Sequence, residues 1–190
     1  MSEWRTERLW LRHWRESDLA PWAALNADPQ VREYFPDVLT RERSDASAAR
    51  FQADLERRGW GWWAVEVRAT GEFIGFCGLD PVEEGMPFTG VEAGWRLARS
   101  AWGHGYATEA ALAVVDFGFE RLGLPEILAV TAAGNLRSQA VMRRIGMTYD
   151  PADDFDDPGV PEGPLRRSVL YRLRADSRRP SGPPRRTPEA

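Results

Sequence analysis

The sequence predicts a single α/β (α+β) domain in which one mixed β-sheet is flanked by about four helices. Three observations point there. The 190 residues fall within the length of one ordinary domain. Hydrophobic residues make up 43% of the chain and charged residues 28%, the balance of a globular protein with a core to fill. Segments that alternate at period two are interleaved with segments that repeat at period 3.6, so strands and helices share one architecture.

Taken in order, Leu9 to Trp14 (LWLRHW) reads as a first strand, with Ser17 or Asp18 capping a short helix through Leu25. Pro29 and Pro36 flank a second short helical or irregular piece. From Thr40 to Arg58 the positions Ala46, Ala49, Phe51 and Leu55 form the apolar stripe of a helix, which Gly59 ends. GWWAVEVR and EFIGFCGL, joined by a turn at Ala69 to Gly71, make a hairpin. After a loop with Pro81, Gly85, Pro87 and Gly90, VEAGWRLA is a further strand. Its Val91, Ala93, Trp95 and Leu97 share one face, and Glu92, Gly94 and Arg96 the other. A turn, SAWGHG, leads into a helix with the stripe Ala107, Ala110, Ala111, Val114, Phe117 and Gly118, which Gly123 and Pro125 stop. ILAVTA is a short strand, Asn135 caps a helix from Leu136 to Ile145, and Gly146 closes it. RSVLYRL, from Arg167 to Leu173, is the terminal strand after an acidic, Pro-rich loop. The domain is expected over residues 1–175, and the Pro- and Arg-rich residues 176–190 as a disordered tail.

Composition excludes several kinds of chemistry. All 25 basic residues are Arg, so there is no P-loop Lys, no protein-kinase Lys and no Lys to form a Schiff base. One Cys and two His offer no metal-ligand cluster, so no metal is expected. A net charge of -4 argues against nucleic acid as the partner. No apolar run approaches the roughly 18 residues of a spanning helix. The charged start MSEWRTERLW lacks a secretory apolar core, so no membrane role and a cytoplasmic location are expected.

The segment that carries chemistry is the strand, turn and helix around residue 103. A turn of Trp102, Gly103, His104 and Gly105 opening a helix leaves several backbone N–H groups unpaired, and its glycines let an anion approach them. The arrangement suits a phosphate, or it is simply a tight connection. A Rossmann fingerprint would need a third Gly where Thr108 stands.

RLARSAWGHGYATEA followed by NLRSQAVMRRIGM resembles the GNAT superfamily of acetyl-CoA-dependent N-acetyltransferases, in its RimJ/RimL-like branch. RTERLWLRHW, GEFIGFCGL, VEAGWRL and SVLYRL extend the resemblance over roughly residues 5 to 174. It implies the GNAT fold, with two central strands splayed apart. It also implies that Trp102, Gly103, His104, Gly105, Tyr106 and Ala107 hold the pyrophosphate of coenzyme A. Arg96, Leu97 and Ala98 would pair through their backbone with the pantetheine arm, facing Ile127 to Ala132, and Asn135 and Ser138 would contact that arm and its sulfur. Glu92 is the candidate catalytic base, or else binds the ammonium group. Many family members place a Tyr where Met142 stands, which leaves Ser138 as the hydrogen-bond donor to the sulfur. Ser100 departs from the family's frequent Gln or Arg. Glu109 is expected to support the first turn of its helix.

The implied function is acetyl transfer from acetyl-CoA to a primary amine. The acceptor would be a protein N-terminal α-amine, as on a ribosomal protein, or alternatively a small-molecule amine or antibiotic. A non-catalytic acyl-CoA-binding or protein-interaction module is the contrasting reading. If the acidic residues Asp150 to Glu162 flank the acceptor, they would favour a cationic amine. The nine Trp and the resemblance make a homodimer a further expectation.

Overall fold

The computed structural model describes residues 3–177. Nine strands and four α-helices are present among them: β1 (Trp4–Arg5), β2 (Leu9–Arg12), α1 (Leu19–Ala27), α2 (Arg41–Arg58), β3 (Trp62–Val67), β4 (Glu72–Pro81), β5 (Val91–Leu97), α3 (Tyr106–Glu120), β6 (Glu126–Ala132), α4 (Leu136–Arg144), β7 (Thr148–Tyr149), β8 (Phe155–Asp156) and β9 (Arg167–Arg174). They form one mixed sheet in the order β1-β2-β3-β4-β5-β6-β9-β7, with β8 also paired to β9. Apart from Asp176 and Ser177, in a final 3-10 turn, the expected tail lies outside the described residues.

Strand alternation divides the core into two layers. Phe76 on β4 and Trp62 on β3, 5.2 Å apart, face α1 and α2, where they meet Trp22 and Phe51 in edge and tilted ring contacts between 5.5 and 6.4 Å. Trp63 points the other way, against Trp4 and Phe117 of α3. Most of the Trp content is therefore spent on the core: Trp14, Trp22, Trp62 and Trp63 are buried, and Trp4, Trp60, Trp95 and Trp102, partly buried, pack against the same core.

Strands β2 and β3 are fastened to each other and to the start of α1 by charge. Arg12 of β2, almost fully buried, makes a two-pronged contact with Asp18 at 2.7 and 2.9 Å and a third bond to Glu66 at 2.7 Å. Asp18 is thus not the helix cap that its position suggests. Its carboxylate is taken by Arg12 and by the N–H of Arg15, and α1 starts without a side-chain cap.

Three further expectations shift. The first strand ends at Arg12, because Trp14 turns inward to donate its indole N–H to Trp62 O. The buried stripe of α2 is Ser44, Ala48, Phe51 and Leu55; Ala46 and Ala49 lie on the exposed side, since Asn26 draws the Ser44 hydroxyl inward. The acidic loop holds the short strand β8 and is preceded by the short strand β7, each held by β9. No helix among the described residues is long and apolar enough to cross a membrane.

Candidate active site

The site begins where the sheet fails to close. β4 and β5 pair over seven residues, and so do β6 and β9. The parallel strands β5 and β6 share one bridge, Glu92 with Leu128, and beyond it they are unpaired. The Ala98 N–H bonds to Ile74 O on β4. By the alternation of an antiparallel ladder, the backbone groups of Trp95 and Leu97 therefore point away from β4, toward β6. The gap thus has an unsatisfied strand edge along its β5 side. Trp102 Nε1 donates to Leu97 O at 2.9 Å and closes the top of that edge. Of the three residues expected to offer backbone there, Leu97 directs its N–H to the gap while its carbonyl is taken by Trp102, whereas Arg96 and Ala98 direct theirs to β4.

The gap opens onto the start of α3. Gly103 and Gly105 sit at φ 81 and 80, left-handed values that glycine adopts without strain. From Gly103 to Thr108 no backbone N–H has a partner among the described residues, and the first internal bond is from Glu109 N to Gly105 O. Consecutive N–H groups at the positive end of a helix dipole form an anion site. Trp102, Tyr106 and Ala107 are partly buried around it, and His104 is exposed, its ring stacked 5.5 Å from Tyr106. Glu109 stands in the first turn of α3, as expected, and its carboxylate also reaches Thr6 Oγ1, Arg8 N and Arg8 Nε, which ties the β1–β2 linker to α3. Arg8 in turn donates to the His104 carbonyl at 2.9 Å.

Opposite, Asn135 follows the end of β6 at Ala132 and stands at the N-cap of α4. Its side-chain oxygen accepts from Ser138 N at 3.1 Å and its amide donates to Thr131 Oγ1 at 2.9 Å, so it is a true cap. Both ends of that side chain are thereby committed, and the Ser138 hydroxyl, partly buried in the first turn, has no hydrogen-bond partner among the described residues. Met142 is 2% exposed and belongs to the core.

Glu92 and Arg96 lie on the α1/α2 face of β5, with Gly94 between them beneath the edge of Trp62. Burial, with the charges of Glu83, Asp80 and Asp157, pushes the Glu92 carboxyl up to about 7. No hydrogen bond or ion pair holds it among the described residues. Burial, with the charge of Arg32, pushes Arg96 down to about 9. Residues 28–37, which include the irregular piece expected between Pro29 and Pro36, cover this end, a role that the sequence reading did not give them. Glu33 pairs with Arg137 of α4 at 2.6 Å, Asp28 with Arg99 at 3.4 Å, and the Tyr34 ring lies against Gly134. Two adjacent aromatics inside a Pro-flanked polar stretch, Tyr34 and Phe35, were the only signal of it.

A splayed pair of parallel strands opening onto a glycine-rich helix start is a recurring architecture. The sequence profile of the acetyltransferase (GNAT) domain matches residues 8–148. The protein named YkkB of Bacillus subtilis (strain 168) is 34% identical over 145 residues, covering 76% of this chain and 84% of its own. The crystal structure of an acetyltransferase from Agrobacterium tumefaciens superposes with a TM-score of 0.73 at 29% identity, covering 91% of this chain and 94% of that one. RimL, a ribosomal L7/L12 α-N-protein acetyltransferase solved with coenzyme A, shares the fold at a TM-score of 0.71 and 18% identity, over 91% and 97% of the two chains. Sequence and architecture agree: this chain belongs to the GNAT family of acetyltransferases.

Proposed function

We propose that the protein acetylates a protein N-terminal α-amine with acetyl-CoA as donor. The observation that carries this reading is the β5/β6 gap, bordered by an unsatisfied strand edge and leading to six unpaired N–H groups. The residues fit the donor: the N–H groups from Gly103 to Thr108 suit its pyrophosphate, and the strand edge at Trp95 and Leu97 suits an arm that carries amides. When bound, the thioester supplies the acetyl group.

The chain's own residues then have two proton tasks. An ammonium group has no free lone pair, so its proton must leave before the nitrogen forms the new C–N bond. Glu92, raised to about 7, can take it, directly or through water, and an acceptor cation gains from Asp80, Glu83 and Asp157 nearby. The departing thiolate needs a donor as its C–S bond breaks. The Ser138 hydroxyl, which has no hydrogen-bond partner among the described residues, would donate a hydrogen bond that stabilises the charge on sulfur, the proton itself coming from water, and the thioether of Met142 has no proton to give. The choice of a protein N-terminus over a small amine rests on the RimJ/RimL-like motifs.

Calorimetric titration with acetyl-CoA, against ATP as control, tests the donor. Thiol release with short peptides and with small amines then ranks the acceptors. Acetyl-CoA binding with faster release on peptides upholds the reading; faster release on small amines transfers the function to them, and absence of acetyl-CoA binding overturns it.

A further inference from the structure

The α1/α2 face of β5 carries a second charged group that the transfer chemistry does not use. Among the described residues, every other arginine that is not exposed has a carboxylate within 4.0 Å: Arg12, Arg32, Arg58, Arg166 and Arg172. Arg96 has none. Among the described residues its one hydrogen bond is from Nη1 to Asn26 Oδ1 at 2.9 Å, and its buried Nε has no partner. Asn26 is itself fully buried and oriented by Ser44, to which its amide donates at 2.9 Å. The guanidinium is therefore aimed by its surroundings without being neutralised.

Burial and the neighbouring Arg32 raise the cost of this charge, and the rings of Trp22 and Phe76, 5.6 and 5.5 Å from its guanidinium, offset part of it. Arg96 lies 4.3 Å from the centroid of Phe35, and Arg32 lies 4.3 Å from the same ring. Arg32 is itself 8% exposed and shares Asp37 with the exposed Arg43. Ring contacts offset part of the desolvation of a guanidinium, but a carboxylate forked across its N–H groups offsets far more. Four residues along the strand, about 13 Å at the usual rise, stands Glu92 in an acidic environment. This face thus presents a negative end and a positive end.

We propose that the acceptor carries a carboxylate in addition to its amine, and that Arg96, backed by Arg32 and oriented by Asn26, receives it. This rests on the reading of the Glu92 face as the acceptor side. The substrate class is then an N-terminal segment with an acidic residue close to its α-amine. A purely cationic amine would satisfy Glu92 and leave Arg96 unpaired.

The test needs no variant at first. Acetylation is followed with tetrapeptides that differ only in Glu against Gln at position two or three. It is repeated with ω-amino acids of three to six carbons against their primary amides, a ruler for the amine-to-carboxylate spacing. The expected result is a kcat/KM at least about tenfold higher for the carboxylate form, expressed mainly in KM, with an optimum at one spacing. In Arg96→Gln that ratio falls to about one, and in Arg96→Lys it is intermediate, since a point charge cannot fork a carboxylate. A wild-type ratio near one overturns the proposal while leaving acetyl transfer intact. A loss of acetyl-CoA affinity in Arg96→Gln that matches its loss of kcat/KM also overturns it, because the cation would then serve the donor. Failure of wild-type protein to bind acetyl-CoA removes the proposed function, and this inference with it.

Discussion

Glu92 carries two opposed demands. Its carboxyl is pushed up to about 7 by burial and by three neighbouring acids, so it is deprotonated, and able to accept a proton, only as pH rises through neutrality. Activity should climb through that range with an apparent pKa near 7. Glu92→Gln should flatten this limb and lower kcat by about a hundredfold or more; a variant with an unchanged profile would remove Glu92 from catalysis. The stability effect has the opposite sign. A carboxyl whose folded pKa is raised contributes stability that is full below its unfolded value and lost as pH rises through about 7. Glu92→Gln should therefore melt higher than wild type at pH 8 and close to it at pH 5. The Arg12 site answers differently. Burial works against its charge, but hydrogen bonds to Asp18 and Glu66 more than compensate, and its pKa is raised. Asp18→Ala leaves a buried cation with one partner fewer and should cost about 3 to 5 kcal/mol in chemical unfolding.

At the scale of elements, the glycine turn before α3 is a conformational requirement as well as a ligand surface. Gly103 and Gly105 both hold left-handed φ, where a Cβ costs about 1 to 2 kcal/mol. At Gly105 a Cβ would also come within 3.5 Å of Arg8, whereas at Gly103 it would meet nothing within 4 Å. Gly105→Ala and Gly103→Ala should lose similar stability and both bind acetyl-CoA several-fold more weakly, measured by calorimetry. This turn was legible because glycine spacing before a helical stripe is a local signal. The hairpin of β3 and β4 and the cap at Asn135 were legible for the same reason. The α2 stripe was misplaced because alanine is compatible with either side of a helix, and the polar Ser44 is inside only through its distant partner Asn26. Asp18 likewise has a cap's identity, but its partner, Arg12, comes from another element. The unneutralised Arg96 depends on contacts from residues 26 to 35, and no local pattern encodes such a meeting.

Across the whole molecule, the sheet is two ladders, β1 to β5 and β6 to β9, joined by one backbone bridge. Periodicity cannot reveal that break, since both strands have the composition of ordinary core strands; only the family resemblance implied it. Something other than the ladder must hold the two halves at a fixed angle, and α3 is placed to do so. Its Gly118 lies over both: a Cβ there would fall 2.7 Å from Ile127 Cδ1 on β6 and 3.0 Å from Leu79 Cδ1 on β4. The absent side chain sets how closely the helix seats on the two ladders. Gly118→Val should overpack this contact and cost about 1 to 3 kcal/mol in denaturant unfolding. If α3 clamps the ladders, the same substitution should also weaken acetyl-CoA binding, because the wedge acts on one strand of each ladder: β6, which borders the gap, and β4, which is paired along β5. Lost stability with unchanged acetyl-CoA affinity would show that the gap is set elsewhere, by the segment from Asp28 to Asp37 that ties α4 and β5 together through Glu33, Asp28 and Phe35.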